Sequence, residues 1–196
     1  EDYERLYSTP FLIYANFPLG ESGLVFHNAE GIDNCREEVL TGRSELGLCA
    51  RTEDTQGLEY IPLISEPLMF LMNRRNPLAA RGALTLSELR DVPQNLPGSR
   101  SVTISSFIDA CIEEGFYPDF VLESRDHALL LRSLESTERI MLCPGFAFNP
   151  EANPSLVLLP LAHETLRTEV GFLVRKGGVS PRVQSLIERV QQALEK

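Results

Sequence analysis

Ile32-Asp-Asn-Cys-Arg-Glu-Glu-Val-Leu40, then Thr41-Gly-Arg-Ser44, then Glu45-Leu-Gly-Leu-Cys-Ala50: this stretch decides the fold class. Cys35, Val39 and Leu40 recur at helical spacing on one face, which predicts a helix over 32–40, entered from the turn at Gly31 and ended by Gly42. The segment after it is short and nearly all apolar. A strand of that kind is covered on both faces, so a helix leading into it reads as part of a parallel α/β sheet.

The same alternation extends in both directions. Upstream, Ser8 or Thr9 offers an N-cap, Pro10 a first helical position, and apolar residues follow to Phe17, predicting a short helix over 8–17; Leu24-Val-Phe26 reads as a brief strand. Downstream, strands are predicted at 58–64 and 68–72, a short helix capped by Thr85 at 85–89, and a strand at 102–104. A helix over 107–114, capped by Ser105 or Ser106 and ended by Gly115, precedes a strand at 120–122. Asp126 starts a helix over 127–134, and strands follow at 140–143, 156–159 and 170–174 before an amphipathic helix over 182–194. The Pro-, Gly- and Asn-rich runs 93–101 and 149–154 read as surface loops.

Composition narrows the function classes. The chain has 196 residues, 43% of them hydrophobic and 23% charged, enough to bury the core of one domain or of two small lobes. Eighteen Lys+Arg against 28 Asp+Glu give a formal charge of −10, which works against direct contact with nucleic-acid phosphates. The longest apolar run, Pro67 to Met72, stops at Asn73-Arg-Arg75, and Glu1 to Arg5 is charged; no membrane partner is expected, and a cytoplasmic location is. Cys35, Cys49, Cys111 and Cys143 form no C-x-x-C, and His27, His127 and His163 stand apart, so buried reduced thiols and no metal or other cofactor are expected. There is no G-x-S-x-G elbow, and no catalysis is expected.

Several of these segments, in order, resemble the effector-binding (regulatory) domain of LysR-type transcriptional regulators. Leu40-Thr-Gly-Arg-Ser-Glu-Leu-Gly-Leu48 looks like the family's L-x-x-G-x-L-D-L-G; Tyr60-Ile-Pro-Leu-Ile-Ser-Glu-Pro-Leu68 leading to Asn76-Pro-Leu-Ala79 is similar to its PL…E.L…HPLA. Glu114-Gly-Phe-Tyr-Pro118, Ile140-Met-Leu-Cys-Pro144, and Leu158-Leu-Pro-Leu161 with Val174-Arg-Lys-Gly177 continue the likeness. Two departures stand out. The family's domain opens with a strand, for which only Glu1 to Tyr7 remains ahead of the expected helix, and no basic recognition helix is present, so the chain reads as a truncated piece lacking the winged helix-turn-helix.

The resemblance implies two Rossmann-like α/β lobes joined by two crossover segments, as in type 2 periplasmic binding proteins: lobe I over 1–66 and 168–196, lobe II over 67–167. It implies a small-molecule effector in the cleft between lobes, a carboxylate by preference, a homodimer or tetramer, and contact with DNA only through the absent N-terminal module. Candidate effector-binding residues are Ser8, Thr9, Arg51 and Thr52 in lobe I, and Ser105, Ser106, Phe107, Ser124, Arg125, Pro144, Gly145 and Phe146 in lobe II. All sit at expected strand ends or helix starts, where ligands of parallel sheets bind. Plainer readings stand beside these: Ser8, Thr9, Ser105 and Ser106 as helix caps, the arginines as solvated charges, the phenylalanines as core. A solute-binding protein of a transport system, with the same fold, is the alternative.

Overall fold

The computed structural model describes residues 4–8, 24–28, 32–52, 54–98 and 101–194. The chain divides into two compact units, Glu1–Ser65 with Glu169–Lys196, and Glu66–Thr168. Each is a five-stranded mixed sheet with helices, an α/β architecture.

The first unit contains β1 (Glu4–Ser8), β2 (Leu24–Asn28), α1 (Ile32–Leu40), β3 (Leu46–Ala50), the start of β4 (Leu58–Pro67), most of β10 (Arg167–Arg175) and α4 (Pro181–Leu194). Its sheet order is β2-β1-β3-β10-β4, with β1 parallel to β2 and β3, and β10 antiparallel to β3. β3 is buried from Leu46 to Cys49, as its unbroken apolar run predicts. The missing first strand is in fact present: Glu4–Ser8 forms β1 and lies between β2 and β3. Ser8 therefore ends a strand instead of opening a helix, and the remainder of the helix expected over 8–17 lies outside the described residues. α4 buries Val183, Leu186, Ile187 and Val190, the i, i+3, i+4, i+7 stripe of an amphipathic helix.

The second unit contains β5 (Met69–Asn73), β6 (Gln94–Pro97), α2 (Val102–Glu113), β7 (Phe120–Ser124), α3 (His127–Ser136), β8 (Ile140–Leu142) and β9 (Leu156–Pro160). Its sheet order is β7-β6-β8-β5-β9; β6 runs parallel to β7 and β8, and β5 antiparallel to β8 and β9. The core gathers Leu68, Phe70, Met72, Leu84, Phe107, Cys111 and Ile140, with Phe107 set edge-on to Phe70 at 5.4 Å between ring centroids.

Four expectations for this unit are corrected. Val102-Thr-Ile104 is the first turn of α2 and not a strand: Ser101 caps the helix, its Oγ accepting from Ile104 N at 3.3 Å, and the buried Ile104, Phe107 and Cys111 continue one face at helical spacing. Ser105 and Ser106 are thus exposed residues within the helix, not its caps. The run 93–101 holds a strand, β6, whose Gln94 and Asn95 are each 1% exposed. Asn95 Nδ2 donates to Leu130 O at 3.3 Å, one of several buried amides that meet main-chain carbonyls here. Thr85 caps no regular helix; its N and Oγ1 both donate to Glu88 of a short 3-10 turn, Ser87–Leu89.

α2 ends as predicted. Gly115 takes φ +82°, its N donates to Ile112 O and Phe116 N to Cys111 O, the paired bonds of a left-handed helix stop. Arg90 donates to the Glu114 and Gly115 carbonyls at 2.9 and 3.0 Å while lying 4.9 Å over the Phe116 ring.

Candidate functional site

In the first unit the register of β1 against β2 and β3 brings Ser8, Asn28 and the end of β3 to one edge of the sheet, the carboxyl edge of its parallel strands. Arg51 and Thr52 follow directly from β3 at that edge. Arg51 N donates to Glu169 O at 2.9 Å, and its Nη1 to Glu169 Oε2 at 2.7 Å, so β10 holds the guanidinium while 60% of the side chain remains exposed. Thr52 is half-buried, and Thr9 lies outside the described residues.

In the second unit β6, β7 and β8 end together. Gly98 N donates to Ser124 O at 2.8 Å, and Arg125 Nε donates to Gly98 O at 3.2 Å, joining the ends of β6 and β7. Ser124 Oγ accepts from Asp126 N at 3.0 Å, and Asp126 Oδ1 accepts from Leu129 N at 3.1 Å to cap α3. Both side chains serve the β7–α3 turn. Pro144, Gly145 and Phe146 follow β8 in a short 3-10 turn. Ser105 and Ser106 sit on the second turn of α2, beyond its cap, and Phe107 is fully buried in the core.

Glu66 is the residue that sequence reasoning missed. Near the end of β4, its carboxylate accepts hydrogen bonds from Gly145 N and Phe146 N. The amide groups after β8 are therefore occupied by the chain's own acid. A Cβ on Gly145 would stand 2.9 Å from Glu66 Oε2, so a side chain there would have to displace the carboxylate. The only signal was a lone carboxylate in Ser65-Glu-Pro67 between two apolar strands. Burial pushes the Glu66 carboxyl above its usual 4.5, against the two amides and Arg167, which pull it down. It also raises Cys143: burial first, then the Glu66 charge, push that thiol up to about 12.

An acid whose folded pKa exceeds its unfolded one favours folding most at low pH, and that contribution is lost as pH rises past about 4.5 through the raised value. Urea unfolding from pH 4 to 8 is expected to show this decline in the native chain and to show less of it in Glu66→Gln. An identical slope in both would assign the pH dependence to other groups.

Among the described residues no group of three His, Cys, Asp or Glu side chains is placed to hold a metal, and no helix is long and apolar enough to cross a membrane. Apart from those on α2, the described candidate residues thus lie at strand ends, where Arg51 and Arg125 are held by Glu169 and by the Gly98 carbonyl.

The family model of the LysR substrate binding domain matches residues 27–195. The HTH-type transcriptional regulator YbhD of Escherichia coli is 26% identical over 152 residues, covering 76% of this chain and 47% of that protein. The regulator SsuR of Burkholderia cenocepacia is 29% identical over 143 residues, covering 71% of this chain and 46% of its own length. The chain thus spans about half the length of the curated relatives it matches. Among solved structures, the BenM effector binding domain with its effector benzoate superposes with a TM-score of 0.80 at 20% identity, covering 98% of this chain and 91% of that one.

Proposed function

The chain belongs to the LysR substrate binding domain family, and from that premise we propose that it senses a small anionic metabolite and passes the bound state to a DNA-binding module of the regulator. It is a ligand-binding domain of a transcriptional regulator, not an enzyme. The observation that carries the anion reading is Arg51, a guanidinium held in place by Glu169 at the carboxyl edge of the first sheet and 60% exposed. An incoming carboxylate can replace Glu169 at one side of the guanidinium while the Arg51 main chain remains fixed to β10. Ser8 lies on the same edge, and Ser124, Arg125 and the Pro144–Phe146 turn on the corresponding edge of the other unit. Benzoate as the effector of BenM is in keeping with a small carboxylate here.

We further propose a homodimer or tetramer, in which α1 of one copy packs on α2 of another. Leu40 on α1 and Ile112 on α2 are 41% and 54% exposed, large apolar groups on the faces such packing would cover. With a charge of −10, DNA contact would fall to a separate module.

A thermal-shift screen of small carboxylates, benzoate first, followed by calorimetry on any that bind, tests the effector reading. Arg51→Ala is expected to weaken the bound carboxylate about 10- to 100-fold with little change in the melting temperature of the ligand-free protein, and Ser106→Ala to weaken it less. Unchanged affinity in both variants removes these residues from the site.

A further inference from the structure

The acid on the turn after β8 takes no part in holding Arg51, yet it occupies two hydrogen-bond donors of the kind that an anionic ligand uses. Gly145 N and Phe146 N are adjacent main-chain amides in a half-buried turn, and both donate to the one carboxylate of Glu66. Gly145 permits the approach. A Cβ there would lie 2.9 Å from Glu66 Oε2 and 3.4 Å from Glu66 Cδ, so the carboxylate sits in the space that any other residue would fill. The same point is 3.3 Å from Met69 Sδ, and Glu66 is itself half-buried, so holding a charge here costs free energy. The two amides and the positive charge of Arg167 work against that cost.

We propose that Glu66 is a specificity residue of the second unit: its carboxylate fills the Gly145 and Phe146 amides, the turn thereby refuses carboxylates and other oxyanions, and a ligand group that docks there must donate hydrogen bonds. A free anion has to displace an acid that the chain itself keeps at high effective concentration, or else sit beside a like charge that repels it. A donor meets neither obstacle. A carboxylate offers about four lone-pair sites, so the two amide bonds leave places for a hydroxyl, an amide or an ammonium group. This rests on the reading of the chain as an effector-binding domain, and it leaves the effector's carboxylate to Arg51 and not to the amides after β8. Sequence position alone suggests the reverse, since Pro144, Gly145 and Phe146 follow a strand end where anions dock.

The test follows the Gly145 and Phe146 amide resonances of the isotope-labelled 196-residue chain during titration with sodium acetate at neutral pH and constant ionic strength. In the native chain both are expected to stay in place. In Glu66→Ala they are expected to move to saturation, with acetate held at least about tenfold more tightly than in the native chain. Adding Arg51→Ala to that variant is expected to leave the gain intact. Failure of every carboxylate to bind the native chain would overturn the Arg51 reading while the gain in Glu66→Ala stood; loss of the gain in the double variant would assign it to Arg51 and overturn the role of Glu66. Native resonances that move as far as those of Glu66→Ala, or resonances of the folded variant that do not move, overturn it as well. A pH titration of the native chain needs no substitution, so a misfolded Glu66→Ala does not decide the matter. The two amide protons are expected to shift together as Glu66 takes up its proton, in a transition above 4.5 that Glu66→Gln lacks. Separate transitions, or none, would place the carboxylate away from the amides and overturn the proposal.

Discussion

Replacing Phe107 by alanine is expected to lower the stability of the Glu66–Thr168 unit by about 4 kcal/mol and the melting temperature by about 10 °C. The side chain is 0% exposed, packs edge-on to Phe70, and sits in the cluster formed by Leu68, Met72, Leu84 and Ile140. Truncation removes both the transfer free energy of the ring and its contacts, and neighbours drawn from four different segments close only part of the cavity. A ligand-wall role for Phe107 makes a different prediction: lost affinity at nearly unchanged stability. Urea unfolding monitored by circular dichroism, with carboxylate titration at a temperature where both proteins are folded, separates the two. A melting temperature within 1 °C of the native chain would falsify the core assignment.

Gly171→Ala is expected to cost about 3 kcal/mol, or to prevent the first unit from folding. β10 lies between β3 and β4, and a Cβ at Gly171 would fall on the Ile61 carbonyl oxygen and 2.6 Å from Cζ of Tyr60. A side-chain end can rotate away, but a main-chain oxygen in a strand cannot, so β10 and β4 would have to separate. Gly82→Ala is the control: its added methyl meets nothing within 4 Å, and a change within about 0.5 kcal/mol is expected. Equal melting temperatures for the two variants would show that the sheet accommodates the methyl group at Gly171.

Elements whose apolar pattern matches their environment were legible in the sequence. β3 and α4 show it most clearly, one an unbroken apolar run and the other a regular stripe. β6 was not legible because its buried positions are amides: Gln94 and Asn95 read as loop residues until α3 is present to supply the carbonyl that Asn95 meets. The start of α2 was misread because Val102, Thr103 and Ile104 prefer strands as isolated residues, whereas a capping serine and a buried face settle the helix. The candidate site divides similarly. That Arg51 and Arg125 follow strands is visible locally, but that Glu169 and the Gly98 carbonyl hold them is a matter of sheet register. Glu66 and Gly145 are 79 positions apart, and nothing in either local sequence shows that they are bonded.

The path of β4 and β10 has a consequence for synthesis. Among the described residues β4 has one neighbour in its sheet, β10, and that strand begins only where the second unit ends. As the chain leaves the ribosome, Glu66–Thr168 can complete its own sheet while the first unit still waits, with one side of β3 and all of β4 unpaired, for residues 167–175. The inserted unit is therefore the one that can mature during translation, and the unit that encloses it in sequence is the last to close. A ribosome that pauses between these two events holds an open sheet edge, the point at which a nascent regulator of this design has most need of a chaperone.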